Sequence, residues 1–184
     1  VGVVRAKFTA LTLGPAGVGI FSQAFNFQQL IITVSSLSMG LGIAKYVAEY
    51  HAKNDGTSVE GTIICAFAMQ SIVSVIIIIS VALFSSMFSW MLFTTGEYGG
   101  LLLVVAVGTV FFVMASTIEA VMFGFGNYKA FAKGRSFSSV LALIPLFIFV
   151  SLMNIRGAFI YLAASGLVTF LVYGYLFYAH VPKE

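Results

Sequence analysis

LGPAGVGIFSQAFNFQQLIITVSSLSMGLGIAK, residues 13–45, is the stretch whose reading decides the fold. A Gly/Pro turn over Leu13–Gly19 opens it, and an apolar segment long enough to cross a bilayer follows. Gly40-Leu41-Gly42 then breaks the segment, with Lys45 just beyond. Inside it Ser22, Asn26, Gln29, Thr33, Ser36 and Gly40 recur in alternating steps of four and three, so they share one side of a helix. Hydrocarbon gives unpaired polar groups no partner, so that side must face other helices or a wet cavity.

Composition agrees. The 184 residues are 60% hydrophobic and 8% charged, with a mean hydropathy of +1.07. Soluble domains carry about 25% charged residues. This is an integral membrane protein of all-α class, and its length suits about six spans of roughly 20 residues. The single cysteine, Cys65, excludes an internal disulfide and a cysteine-based metal site. His51 and His180 are too far apart in sequence to suggest zinc ligands. The chain opens at Val1, already inside an apolar stretch, which points to sequence upstream.

Six spans are expected, at about 1–13 (a truncated first helix), 21–44, 61–83, 101–123, 137–153 and 158–178. Loops are expected at 45–60, 85–100 and 124–136, and a kink at Pro145 in the fifth span. Asn154-Ile155-Arg156-Gly157 reads as a tight turn. Lys45, Lys53, Lys129, Lys133, Arg135 and Lys183 follow spans two, four and six, whereas Arg156 alone marks the other side. The positive-inside rule therefore makes 45–60 and 124–136 cytoplasmic, and the Gly14-Pro15 turn faces outward. Trp90 and Tyr98 suit an outer aromatic belt, and Tyr46, Tyr50, Tyr128 and Tyr178 an inner one.

Two intramembrane charges stand out. Arg5 precedes Gly14 by nine residues, about 13 Å along a helix, which is near mid-membrane depth. It shares a face with Thr9 and Thr12, while Lys7 points elsewhere. A guanidinium there suits a phosphate, with Asn26, Gln29 and Thr33 from the striped helix as further substrate-binding candidates. Glu119, on one face of the fourth span with Thr109 and Ser116, is a candidate site for a coupling proton or sodium ion. No other cofactor and no metal is expected. Ser, Asn, Gln and Thr also bond across ordinary helix interfaces, and Glu119 could instead pair with Lys129 or Arg135. Lys129, Lys133 and Arg135 could hold anionic lipid headgroups or a substrate diphosphate on entry, although the positive-inside signal alone accounts for them. Glu49 is expected to pair with Lys45 or Lys53. Enzyme signatures such as H-E-x-x-H, G-x-S-x-G or a phosphate-binding P-loop are absent from the sequence.

Arg5 in a first span, Leu13–Phe21 (LGPAGVGIF), Gly40–Glu49 (GLGIAKYVAE) at the end of a second, and Gly124–Lys129 (GFGNYK) at the end of a fourth together resemble the oligosaccharide flippases. These are the polysaccharide-export branch of the superfamily that includes multidrug and toxin extrusion transporters. The resemblance implies one six-helix lobe of a two-lobe alternating-access transporter, partnered by a missing second lobe or a second copy. It implies membrane lipids and a polyprenyl-diphosphate-linked oligosaccharide as partners, no nucleic acid, and a cytoplasmic-membrane location. It also implies that Arg5 contacts the diphosphate. The lipid II branch carries a second basic residue nearer the turn, where this chain has Leu11, which favours a general saccharide exporter. The alternatives are a drug/cation antiporter of the same fold and a non-transporting scaffold of an export complex.

Overall fold

The computed structural model describes residues 2–36 and 39–180, all in helices and short turns. The elements are α1 (Gly2–Ser36), α2 (Gly40–Ala52), α3 (Gly56–Leu83), α4 (Ser85–Phe93), α5 (Gly99–Gly124), α6 (Tyr128–Leu141) and α7 (Leu143–His180). Lys183, expected on the inner side, lies outside the described residues.

Two of these helices are hairpins. In α1 the Arg5 guanidinium sits 4.6 Å from the centre of the Phe25 ring, although twenty residues of straight helix would separate them by about 30 Å. The chain reverses at one residue, Gly14, whose φ of 66° and ψ of 178° belong to a region open essentially to glycine alone. Pro15 then starts the second limb, where its missing N–H costs nothing. In α7 the reversal is at Asn154, at φ 50° and ψ −124°. Asparagine is one of the few residues suited to positive φ in tight turns. A Cβ on Gly157 would fall 1.8 Å from the Phe149 carbonyl oxygen, so the two limbs of α7 touch backbone to backbone.

Both turns are tighter than their sequences suggest. Residues 15–20 are already helical, and the expected four-residue turn at 154–157 narrows to Asn154.

α3 and α5, of 28 and 26 residues, are each long and apolar enough to cross a membrane, and so are the chain stretches containing the two hairpins. This is a multi-pass membrane protein. α5 is its axis, touching α1, α2, α3, α4, α6 and α7. Its closest approach is to α7, where a Cβ on Gly108 would lie 2.2 Å from the Ala163 Cα and one on Gly166 2.3 Å from the Gly108 carbonyl oxygen. At the inner end α2 crosses α5 at Gly124, where a Cβ would fall 2.8 Å from the Ala44 carbonyl oxygen. Small residues permit such approaches, and dispersion then holds the helices together. Buried polar pairs add direction. Gln28 Nε2 donates to the Leu162 carbonyl at 3.0 Å, joining α1 to α7, and the Thr117 hydroxyl donates to Gln70, joining α5 to α3.

Three expected loops are largely helical. α2 runs to Ala52, so only Lys53–Asp55 separates it from α3, and α6 begins at Tyr128. Caps account for both new helix starts. Asp55 accepts from the Ser58 hydroxyl at 2.6 Å and its N–H at 3.1 Å, and Asn127 accepts from the Ala130 N–H at 3.2 Å. The Ser58 hydroxyl and then its N–H hold the Asp55 carboxyl below the ordinary carboxylate range. That cap is therefore intact at neutral pH and is lost only as acid protonates it. Residues 85–93 form α4, closed by Thr94 in the left-handed region and by Ser89, which donates to the Thr95 carbonyl and accepts from the Tyr98 N–H.

The fifth span breaks at Ala142, not at Pro145. Pro145 has no N–H for the Leu141 carbonyl and crowds it, so α6 ends there and Pro145 falls in the first turn of α7. Trp90 is exposed, as an interfacial residue should be, but Tyr98 is stacked on Phe159 with ring centres 5.7 Å apart and belongs to the packed interior. Glu49 pairs with Lys53 at 2.7 Å.

Gly108→Val should cost about 3 kcal/mol, because the added carbons meet backbone that cannot rotate away. Gly100→Ala, at an open position in the same helix, should shift stability by less than about 1 kcal/mol. Thermal unfolding of both variants in one detergent checks this, and equal melting points would refute the backbone contact.

Candidate functional site

A cavity of about 460 Å³, lined by charged and hydroxyl side chains among apolar ones, lies between both limbs of α1, the C-terminal half of α5, α6, and the second limb of α7. That is within the range of about 300–1,000 Å³ of small-molecule sites. Arg5, Gln29, Ser116, Glu119 and Arg135 line it, and Tyr161, Ser165, Thr169 and Tyr173 form its α7 wall.

Each side chain arrives by a local cause. The reversal at Gly14 brings Arg5 back against the second limb, where its guanidinium rests on the Phe25 ring. Thr9 does not join it. Its hydroxyl donates to the Arg5 carbonyl at 2.9 Å and is buried. Glu119 follows Ser116 by three residues on α5. Arg135 comes from α6, which approaches α7 closely because Gly134 has no side chain: a Cβ there would lie 2.7 Å from the Tyr173 ring.

Arg135 Nη1 stands 3.6 Å from Glu119 Oε1, with the arginine side chain 73% exposed and the glutamate 25%. The separation exceeds hydrogen-bond length, so this is a loose electrostatic pair. The buried Tyr173 hydroxyl lies beside both charges without closing a well-formed hydrogen bond. Among the described residues no carboxylate pairs with Arg5. Two guanidiniums against one carboxylate leave the cavity with a surplus positive charge. Such a wall can hold an anion with several oxygens, and the serine, threonine and tyrosine hydroxyls can bond to further polar groups.

The sequence-stripe residues therefore part company. Gln29 reaches the cavity beside Arg5 and Glu119, whereas Asn26 and Thr33 are exposed and do not line it. Ser22 is exposed as well. The buried face of the second limb carries Phe21, Ala24, Phe27, Gln28 and Ile31 instead. Thus Ser22, Asn26 and Thr33 face away from this bundle, while Ser36 and Gly40 line an adjoining hollow. Lys129 and Lys133 are exposed and off the cavity wall. Cys65 is exposed, and His51 packs edge-on against Phe125 at 5.0 Å. Among the described residues no three His, Cys, Asp or Glu side chains are grouped to hold a metal ion.

Sequence reading missed the α7 wall, while the pairing of Glu119 with Arg135, one of the alternatives weighed for that acid, is present. That wall had a visible signal, since Tyr161, Ser165, Thr169 and Tyr173 recur every four residues. Arg135 looked like the ordinary positive-inside pattern, which hid its place on the cavity wall.

Over 165 residues the chain is 28% identical to the Lipid III flippases of Escherichia coli (strain K12) and Shigella flexneri. It is similar to them along most of its length. The match covers 88% of this chain and 38% of each relative, so the chain spans about two-fifths of the length of the curated relatives it matches. No family model matches the chain, and no solved structure matches it.

If the cavity is wet, Gln29→Cys in a Cys65→Ser background should react with a water-soluble maleimide in intact membranes. Ala24→Cys, buried on the same limb and off the cavity wall, should not. Equal labelling of the two would show that water does not distinguish them.

Proposed function

We propose that this chain forms one lobe of a flippase that moves a polyprenyl-diphosphate-linked oligosaccharide from the inner to the outer leaflet of the cell membrane. The observation that carries the reading is Arg5, a guanidinium far inside a membrane hairpin, on a polar cavity wall and without a carboxylate partner among the described residues. An unneutralised charge at such depth is costly and calls for an anionic ligand. The likeness to the Lipid III flippases supplies the ligand class, a lipid-linked saccharide.

In this reading Arg5 anchors the diphosphate through two parallel N–H donors. Gln29 and the hydroxyls of the α7 wall take the first sugar. Asn26 and Thr33, exposed on the stripe, contact the saccharide across the central space between this lobe and a second lobe or copy. The two lobes rock about that space, opening it to one leaflet at a time. Glu119 is the residue at which a proton or sodium ion couples to the cycle. The surplus positive charge of the cavity disfavours a cationic drug as cargo.

Arg5→Ala should abolish export of the cell-surface polysaccharide while leaving the protein in the membrane at its normal level. Arg5→Lys should retain part of the export, since a point charge replaces the fork. Complementation of a strain lacking the gene, with immunoblotting of membranes, measures both. Normal export by Arg5→Ala would end the anchor reading.

A further inference from the structure

One side chain borders three hollows. Arg135 lines the polar cavity, an adjoining hollow of about 400 Å³, and a shallow groove along α6 with Phe131 and Val140. Glu119 lines the first two with it. The second hollow is mainly apolar, walled by Ile32, Leu41, Ala44, Phe123 and Phe131. Hence the Glu119–Arg135 pair stands where the cavity that holds the charges adjoins a more apolar hollow, with Ile32 and Ser116 common to both.

The pair is built to part. A single contact of 3.6 Å uses little of a guanidinium that can offer five N–H donors. Arg135 is mostly exposed and can swing, while Glu119 is held on the axial helix α5. The buried Tyr173 hydroxyl beside them lacks a well-formed hydrogen bond, and a buried donor without an acceptor needs an explanation. Tyr173 is thus placed to donate to the Glu119 carboxylate.

What draws Arg135 away must be more attractive than a lone carboxylate, and Arg5 lines the same cavity from α1. Two planar forks lining one cavity match a group with several anionic oxygens, a phosphoryl or diphosphate. The apolar hollow immediately beyond the pair has the character of a hydrocarbon binding surface. Together the chambers suit an amphiphile with its phosphate at the guanidiniums and its chain in the apolar hollow.

We propose that Arg135 is the second phosphate-binding guanidinium of this site, held by Glu119 while the site is empty and transferred to the phosphoryl group of an entering polyprenyl lipid. The proposal rests on the reading of Arg5 as the diphosphate anchor. No covalent step is involved; one ion pair is exchanged for another. Lys129 and Lys133, though nearby in sequence, have no part in it because they do not reach the chamber.

The test is binding of a polyprenyl diphosphate to the purified protein in phosphatidylethanolamine nanodiscs, against the uncharged polyprenol of equal length. Arg135→Ala should weaken diphosphate binding about tenfold or more, the loss expected for hydrogen bonds to a charged group. Glu119→Gln should tighten it by removing the competitor, and the double variant should bind as weakly as Arg135→Ala. Polyprenol binding should be unchanged in all three, which also shows that they are folded. Wild-type binding by both single variants, with Arg5→Ala weak, would overturn the role of Arg135 and leave the anchor standing. Equal wild-type affinity for diphosphate and polyprenol would overturn both. Displacement by phosphatidylglycerol at equal mole fraction would assign the phosphate site to bulk anionic lipid and overturn the carrier lipid as its ligand.

Discussion

Everything in this bundle depends on how closely α5 and the second limb of α7 approach. At Gly108, Ala163 and Gly166 the two backbones meet with no room for another carbon. Within a membrane apolar side chains gain little by leaving lipid for protein, so helices must associate through dispersion and hydrogen bonds, both steep in distance. A contact at backbone range therefore sets the relative rotation and depth of the two helices. α5 is then the post on which α1, α2, α3 and α6 are arranged, and more of its length is buried than that of any other described helix.

The two hairpins follow from a related constraint. Reversing a chain at the membrane face leaves backbone groups at risk of being unpaired, so a reversal confined to one residue is the least costly solution. Gly14 accepts a backbone conformation that a Cβ would forbid, and Asn154 occupies the positive-φ position of a tight turn. Because each turn is so short, the limbs are aligned from their first residues onward. That alignment brings Arg5 to Phe25 and lays Phe8 against Phe147, ring centres 4.6 Å apart. Depth in the membrane becomes a consequence of turn length.

The chemistry of the cavity comes from an imbalance that the fold tolerates. Arg5, Glu119 and Arg135 arrive on three different elements and, among the described residues, leave one guanidinium without a carboxylate. A structure built only for stability would neutralise or omit charges at membrane depth, since they cost more there than apolar packing would. Around them the remaining polar groups are mostly hydroxyls on α6 and α7, which can donate or accept and so suit either water or a saccharide.

Much of this was legible in the residues. The apolar runs, the glycine breaks and the basic residues at alternate turns identify a helical membrane protein with Arg5 and Glu119 within it, because hydrocarbon allows few other ways to satisfy a backbone. Helix ends were misread where caps, not hydropathy, decide them: Asp55 and Asn127 let α3 and α6 begin in stretches that look like loops. The site was half legible. Periodicity places Ser22, Asn26, Gln29 and Thr33 on one side of their own helix, and only Gln29 reaches the cavity. Arg135 was open to the sequence as one possible partner of Glu119, but Tyr173 joins them from another helix, beyond the reach of any local pattern. By itself, then, the sequence determined the medium, the helices and the direction of each side chain about its own axis. The tertiary structure alone decided which of those directions converge, because the rotation of one helix against another is set by packing at small residues far from the charges it brings together.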